Sequence, residues 1–139
     1  MAKVVGSSAN TLEPLQVTDY SHQQYYKPHH NAFSEMEDGK PNRARTLFVY
    51  LEDRGVKDGQ CGGATTFYRL KRNGLRVYPT KGSALMWDNL KSNGRVDRKM
   101  LQGGERVTCR GARKTGLNAW FLESPRRMTA RKKRGSLYK

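Results

Sequence analysis

Acidic residues nearly vanish from the second half of this sequence. Residues 61–139 carry 20 Lys and Arg against 4 Asp and Glu, whereas residues 1–60 carry 7 basic and 8 acidic side chains. Long hydrophobic runs are missing as well, and none approaches the ~20 residues of a membrane-spanning helix, which excludes that class. Cysteine is scarce: Cys61 and Cys109 are the only two. They are too few for a disulfide scaffold and lack the spacing of a metal knuckle, so reduced, half-buried thiols are expected. The first fifteen residues have neither the apolar stretch of a secretory signal nor the Arg content of a transit peptide. An intracellular location is expected, with an organelle such as a mitochondrion or plastid open if a targeting signal was removed earlier. Apolar residues make up 35%, below the roughly 45–50% of an average globular chain. Internal repeats and amphipathic helical periodicity are lacking too.

What the 139 residues do contain is a series of short strand signals. Gln16 to Tyr26 holds one strand and the start of a second, and Arg45 to Glu52 alternates as a half-buried strand should. Thr65 to Leu70 and Leu75 to Tyr78 flank Asn73-Gly74, a hairpin signal. Ser83 to Trp87, Arg106 to Cys109 and Asn118 to Leu122 follow. About eight short strands with turn chemistry between them predict an all-β sandwich or jelly-roll barrel. The organisation expected is an extended leader over 1–15, a β domain over 16–123 and a basic tail over 124–139. That tail brings Arg126, Arg127, Arg131, Lys132, Lys133 and Arg134 together without an acid. Such a block repels itself and is expected to seek a polyanion such as RNA or an anionic lipid surface.

Three clusters could carry chemistry. His22, His29 and His30 are the only histidines, and His29-x-Asn31 has the spacing of two inward side chains at a strand end. A facial iron site needs two imidazoles and a carboxylate, and Asn31 offers only a neutral amide. Gln102-Gly103-Gly104 followed by Lys114, Asn118 and Trp120 forms a second cluster, in which a lysine pointing into a barrel could hold a carboxylate. By spacing alone Lys114 reads equally as a surface cation. Cys61 to Phe67 contains Gly62-Gly63, a pair that suggests close backbone approach or a bulge entering a strand.

In order along the chain, these segments resemble the prolyl 4-hydroxylases. The resemblance is carried by Tyr20-x8-His29-x-Asn31, Arg43-x2-Thr46-x3-Tyr50-Leu51, Gly62-Gly63-Ala64-Thr65-Thr66-Phe67, Pro79-x-Lys81-Gly82-x-Ala84, Asp97, Leu101-x-Gly103-Gly104 and Lys114-x3-Asn118-x-Trp120. It implies a double-stranded β-helix, the jelly-roll or cupin-like barrel, without the usual N-terminal helical half. It also implies iron(II), 2-oxoglutarate and ascorbate as cofactors of an active member. His29, Asn31 and Gln102 fall on the iron-ligand positions, with Asn for the carboxylate and Gln for the second imidazole. Lys114 falls on the lysine that pairs with the far carboxylate of 2-oxoglutarate, and Tyr20 and Tyr50 would line the same pocket.

Two of three ligand positions thus carry amides, which favours a non-catalytic barrel without a cofactor. Such a barrel would serve as a structural subunit of a larger assembly, docked on RNA or another anionic component through its basic face, with protein neighbours. The alternative is an active 2-oxoglutarate- and iron-dependent dioxygenase that hydroxylates prolyl side chains.

Overall fold

The alternation in Arg43–Glu52 becomes the longest strand, and everything else is arranged around it. The computed structural model describes residues 2–34, 40–125, 128 and 129. A helical turn α1 (Ala2–Val5) leads into eight strands: β1 (Gln16–Tyr20), β2 (Tyr26–His29), β3 (Arg43–Glu52), β4 (Thr65–Phe67), β5 (Leu75–Val77), β6 (Ala84–Asp88), β7 (Gln102–Gly104) and β8 (Lys114–Leu122). They form two four-stranded antiparallel sheets, in the orders β1-β8-β3-β6 and β2-β7-β4-β5. This is the all-β class that the strand spacing predicts and the double-stranded β-helix that the resemblance implies. Among the described residues no helix is long and apolar enough to cross a membrane.

Register decides which side chains enter the barrel, because successive residues of a strand face opposite ways. Thr46 of β3 lies between Trp87 of β6 and Trp120 of β8, Phe48 opposes Asn118, and Tyr50 opposes Gly116. That row, with Lys114 at its end, lines the interior. The opposite face of the same strands presents Leu47, Ala119 and Phe121, which pack with Val5 and Leu12. Residues 2–12 therefore do not stand off as an extended leader. Val5 is 1% exposed, and Leu12 bridges to Phe121, because this apolar outer face needs a cover.

Other expectations shift. Asn73-Gly74 does close the β4–β5 hairpin, with Gly74 at φ +77°. Arg106 to Cys109 is not a strand; only Val107 makes an isolated bridge, to Gly62, and the pairing strand is the shorter β7. Gly62 is at φ +68°, and a Cβ there would run into the Arg106 carbonyl. The close approach that Gly62-Gly63 suggested is thus a loop-to-loop contact. The same contact brings Cys61 and Cys109 to a Cα separation of 5.2 Å, and they are joined in a disulfide rather than reduced. A 48-residue separation hides that proximity from the sequence.

One glycine shapes the interior directly. A methyl group on Gly116 would overlap the tip of the Phe48 ring. Gly116→Ala is expected to cost about 1–3 kcal/mol, the usual toll of overpacking, read as a lower urea midpoint. An unchanged midpoint would mean that Phe48 does not rest on β8.

Candidate active site

Between the sheets lies an open cleft of about 650 Å³ whose walls include Tyr20, His29, Asn31, Phe48, Thr65, Gln102 and Lys114. Two polar constellations occupy it. They are linked by β7, whose residues 102 and 104 share one face about 6.6 Å apart at the usual strand rise.

The first is built around Lys114, the opening residue of β8, which is 2% exposed. Its Nζ donates to Thr65 Oγ1 at 3.0 Å, and the Tyr50 hydroxyl donates to the same oxygen at 2.8 Å. Thr65 thus accepts two hydrogen bonds, which leaves its own proton to offer to an acceptor in the cleft. The rings of Tyr20, Phe48 and Tyr50 stand 5.6, 5.6 and 5.7 Å from Nζ, close enough to stabilise the cation through their faces. Among the described residues no carboxylate comes within ion-pair distance of Nζ. The anion that acts on it, Glu105, is held by hydrogen bonds from Thr66 and Arg76. Burial pushes the Glu105 carboxyl up, and these bonds outweigh it, so the group stays anionic. Burial pulls the Lys114 ammonium down to about 8, with Glu105 drawing it partly back. Burial also pushes the Tyr50 phenol up to about 12 and raises Tyr20. Tyr20 lines the cleft as expected, while Tyr50 lies behind it, 1% exposed, and acts by holding Thr65.

The second constellation joins β2 to β7, where His29 opposes Gln102. His29 Nδ1 donates to the Lys27 carbonyl at 2.9 Å, so its Nε2 carries the lone pair. Burial keeps this imidazole below its ordinary value. Asn31 Nδ2 donates to Thr46 Oγ1 at 3.0 Å, which turns Asn31 Oδ1 inward. The Gln102 amide nitrogen meets both lone pairs, at 2.8 Å from His29 Nε2 and 3.3 Å from Asn31 Oδ1. Thr46 continues the network to Asn89. Among the described residues no group of three His, Cys, Asp or Glu side chains gathers at one point; what gathers is one imidazole and two carboxamides. His30 also lines the cleft, with its Nε2 on the Arg98 carbonyl at 3.3 Å rather than on Gln102.

The outer part of the cleft is aromatic. Arg43 stacks on Trp120 at 3.8 Å and on Phe33 at 4.9 Å, fixed by paired 2.8 Å bonds to Glu13. Two buried indole N–H groups of these wall residues, Trp87 Nε1 and Trp120 Nε1, have no hydrogen-bond partner among the described residues. Sequence reasoning named Lys114, Tyr20, His29, Asn31 and Gln102, and the fold brings them into one cleft. It quoted Thr46 and Thr65 within motifs without giving either a role and passed over Phe48, although two-residue spacing along β3 and β4 marks the inner face. Arg126, Arg127, Arg131, Lys132, Lys133 and Arg134 lie outside the described residues.

A double-stranded β barrel with a buried lysine and an inward imidazole in one cleft has the architecture of a 2-oxoglutarate oxygenase domain. The model of the 2OG-Fe(II) oxygenase superfamily matches residues 15–122, and the chain belongs to that superfamily, in its prolyl 4-hydroxylase-like branch. Prolyl 4-hydroxylase 1 of Arabidopsis thaliana is 32% identical over 109 residues, covering 69% of this chain and 36% of that protein. Prolyl 4-hydroxylase subunit alpha-1 of Homo sapiens is 34% identical over 102 residues, covering 68% of this chain and 17% of that protein. The chain therefore spans about a third or less of these relatives. Among solved structures, the viral collagen prolyl hydroxylase vCPH from Paramecium Bursaria Chlorella virus-1, in its 2OG complex, superposes with a TM-score of 0.68 at 28% identity. That match covers 81% of this chain and 60% of the viral one. A Pseudomonas putida prolyl-4-hydroxylase, at 19% identity and TM-score 0.56, shares the fold, over 83% of this chain and 56% of the other.

These findings overturn the expectation of a non-catalytic structural subunit docked on an anionic assembly. Similarity at this level runs to prolyl hydroxylases in both sequence and structure, and it favours the oxygenase alternative. The expectation of no cofactor falls with it, since the family uses iron(II) and 2-oxoglutarate. None of the similarities supports RNA binding.

Proposed function

We propose that this domain binds 2-oxoglutarate and serves a prolyl hydroxylase-type oxygenation of a peptide. The observation that carries the reading is Lys114, a buried cation lining the cleft with no carboxylate within ion-pair distance among the described residues. An unpaired buried charge is costly, and a dicarboxylate that enters the cleft relieves the cost. Its far carboxylate would take the Lys114 ammonium and the free Thr65 proton, while Tyr50 keeps Thr65 in place. The head of a five-carbon dicarboxylate would then reach the level of Gln102, about 6.6 Å along β7.

On this reading His29, Asn31 and Gln102 hold the metal position, with amides at two of the three ligand places. The fit can be tested on the hydrogen bonds. His29 Nε2 and Asn31 Oδ1 already aim lone pairs at one point, and a donor, the Gln102 amide nitrogen, stands there. Turning that amide over would present a third acceptor, but one imidazole and two neutral amides give a divalent cation no countercharge, so as it stands this donor set is a poor fit to iron(II). Iron(II), were it held there, would supply the redox chemistry by which 2-oxoglutarate and dioxygen give succinate, carbon dioxide and a hydroxylated side chain. The protein's own part is to orient the cosubstrate and to wall the cleft from water. The aromatic faces of Trp87 and Trp120 on the cleft wall suit the apolar ring of a prolyl side chain.

The test is calorimetric titration with 2-oxoglutarate, then a succinate assay with iron(II) and a proline-rich peptide. Binding of 2-oxoglutarate is expected, and absence of binding would sink the proposal. Its pH dependence follows from Lys114. The dianion needs the charged ammonium, so affinity is expected to be flat below pH about 7. Above pH about 8 it should fall roughly tenfold per unit, with proton uptake on binding. A pH-independent affinity up to pH 9.5 would place the anion elsewhere.

A further inference from the structure

The cleft draws on β1 and β2, the first strands of the two sheet orders. The last strands, β6 and β5, border a second opening, a groove of about 610 Å³. Among the described residues neither strand has a neighbour on its outer side, so each presents unpaired backbone N–H and C=O groups along one edge. Leu85 and Trp87 of β6 point inward with Phe48 and Thr46, their partners on β3, and line the groove together with Leu75 and Val77 of β5. These four side chains are only half-buried, whereas the inward Phe48 and Tyr50 of the central strand are buried. The core is therefore unsealed along this side. On the outer face of the same edge lie Met86, 52% exposed, and Asp88.

Charge marks the groove as well. In a chain of net charge +15, residues 61–139 hold four carboxylates. Glu105 is clasped by Thr66 and Arg76, and Glu123 is buried. The other two, Asp88 and Asp97, both border the groove. Each engages through Oδ1, Asp88 with Arg45 and Asp97 with the Lys99 N–H, which leaves Oδ2 of each to receive a cation.

We propose that the β5–β6 groove is a docking site for an extended segment of a protein partner in which apolar and basic side chains alternate. The segment adds to the open edge of β6 through backbone hydrogen bonds. Residues opposite Leu85 and Trp87 then enter the groove and are apolar, while the residue opposite Asp88 lies on the outer face and is basic. One strand of this pattern covers the half-buried side chains and answers both carboxylates. An acidic strand is repelled, and a wholly apolar one desolvates the two carboxylates without a partner. The docking site is independent of 2-oxoglutarate binding, although groove and cleft share Trp87 as a wall.

The experiment titrates the full chain by calorimetry with acetyl-Val-Lys-Leu-Lys-Val-amide and with the same peptide carrying Glu in place of Lys. The Lys peptide is expected to bind at least about tenfold more tightly and to protect backbone amides of β5 and β6 from hydrogen exchange. Asp88→Asn with Asp97→Asn should erase the preference. Asp97 also caps the turn at Arg98–Met100, so Met86→Lys, at an exposed position, provides a second variant. It should weaken the Lys peptide at least about tenfold with the urea midpoint unchanged. Equal affinity for the two peptides, or binding of neither, would overturn the proposal. So would a dimer in sedimentation equilibrium that Met86→Lys dissolves, which would assign the groove to a second copy of the chain. Binding of the Lys peptide only after proteolytic removal of residues 126–139 would assign it to the chain's own basic segment, and the partner would fall.

Discussion

Replacing Lys114 with methionine is expected to weaken 2-oxoglutarate binding at least a hundredfold while making the empty domain more stable at neutral pH. The two effects have one cause. Among the described residues Lys114 donates one hydrogen bond, to Thr65, and burial pulls its ammonium down to about 8 from an ordinary 10.5. Below pH 8 the folded protein carries a charge that the unfolded chain would hold more comfortably, so folding is penalised there. As pH rises from about 8 to about 10.5 the folded state has lost this proton while the unfolded state still binds it, so stability climbs through that window. The shift is worth about 3 kcal/mol. Methionine fills similar space without the charge, and the variant should start higher by up to that amount and not climb through the window. Urea midpoints of both proteins at pH 7 and pH 10 check this. A variant less stable than the parent at pH 7 would mean that the cation is already paired in the empty protein. The lost affinity follows from removing one partner of a buried ion pair, which costs about 3 kcal/mol or more. Calorimetry on the same samples separates the two effects.

The disulfide between Cys61 and Cys109 should dominate the stability of the loop end. Closing a 48-residue separation restricts the unfolded chain by about 4 kcal/mol in the chain-entropy treatment. Cys61→Ser with Cys109→Ser, or simple reduction, is expected to lower the urea midpoint accordingly. A domain of this size holds only about 5–15 kcal/mol in all, so much of its margin would go. The bond also clamps the cluster of Val56, Val107 and Ala112 on which Tyr20 packs. Reduction should therefore loosen that wall of the cleft and weaken 2-oxoglutarate binding as well. An unchanged midpoint after full reduction, verified by thiol titration, would show that the Gly62–Val107 contact holds the loops by itself.

Much of the architecture was legible from local pattern. Alternation from Arg45 to Glu52, the Asn73-Gly74 turn and the close spacing of short strands are properties of neighbouring residues, and they pointed to an all-β sandwich or barrel before any contact was known. The order of motifs from Tyr20 to Trp120 likewise pointed to the prolyl hydroxylases and to His29, Asn31, Gln102 and Lys114. What a linear reading could not weigh was environment. Lys114 sits among four other basic or small residues in the sequence and reads as a surface charge. Only its place as the first inward residue of β8, under Tyr20 and Phe48, makes it a buried cation. The amides at positions 31 and 102 argued against catalysis when read as isolated substitutions, and similarity across the whole barrel corrected that reading.

The sequence alone determined the all-β class, the charge asymmetry and the identity of the donors available at the centre. Those follow from side-chain chemistry and from periodicities of two residues. The tertiary structure decided which distant side chains meet: the Cys61–Cys109 bond, the Val5 cover on the outer sheet face, and the shared Thr65 oxygen that joins Lys114 to Tyr50. Each depends on strand register and loop closure across tens of residues, where a slip of one position turns every inward side chain outward.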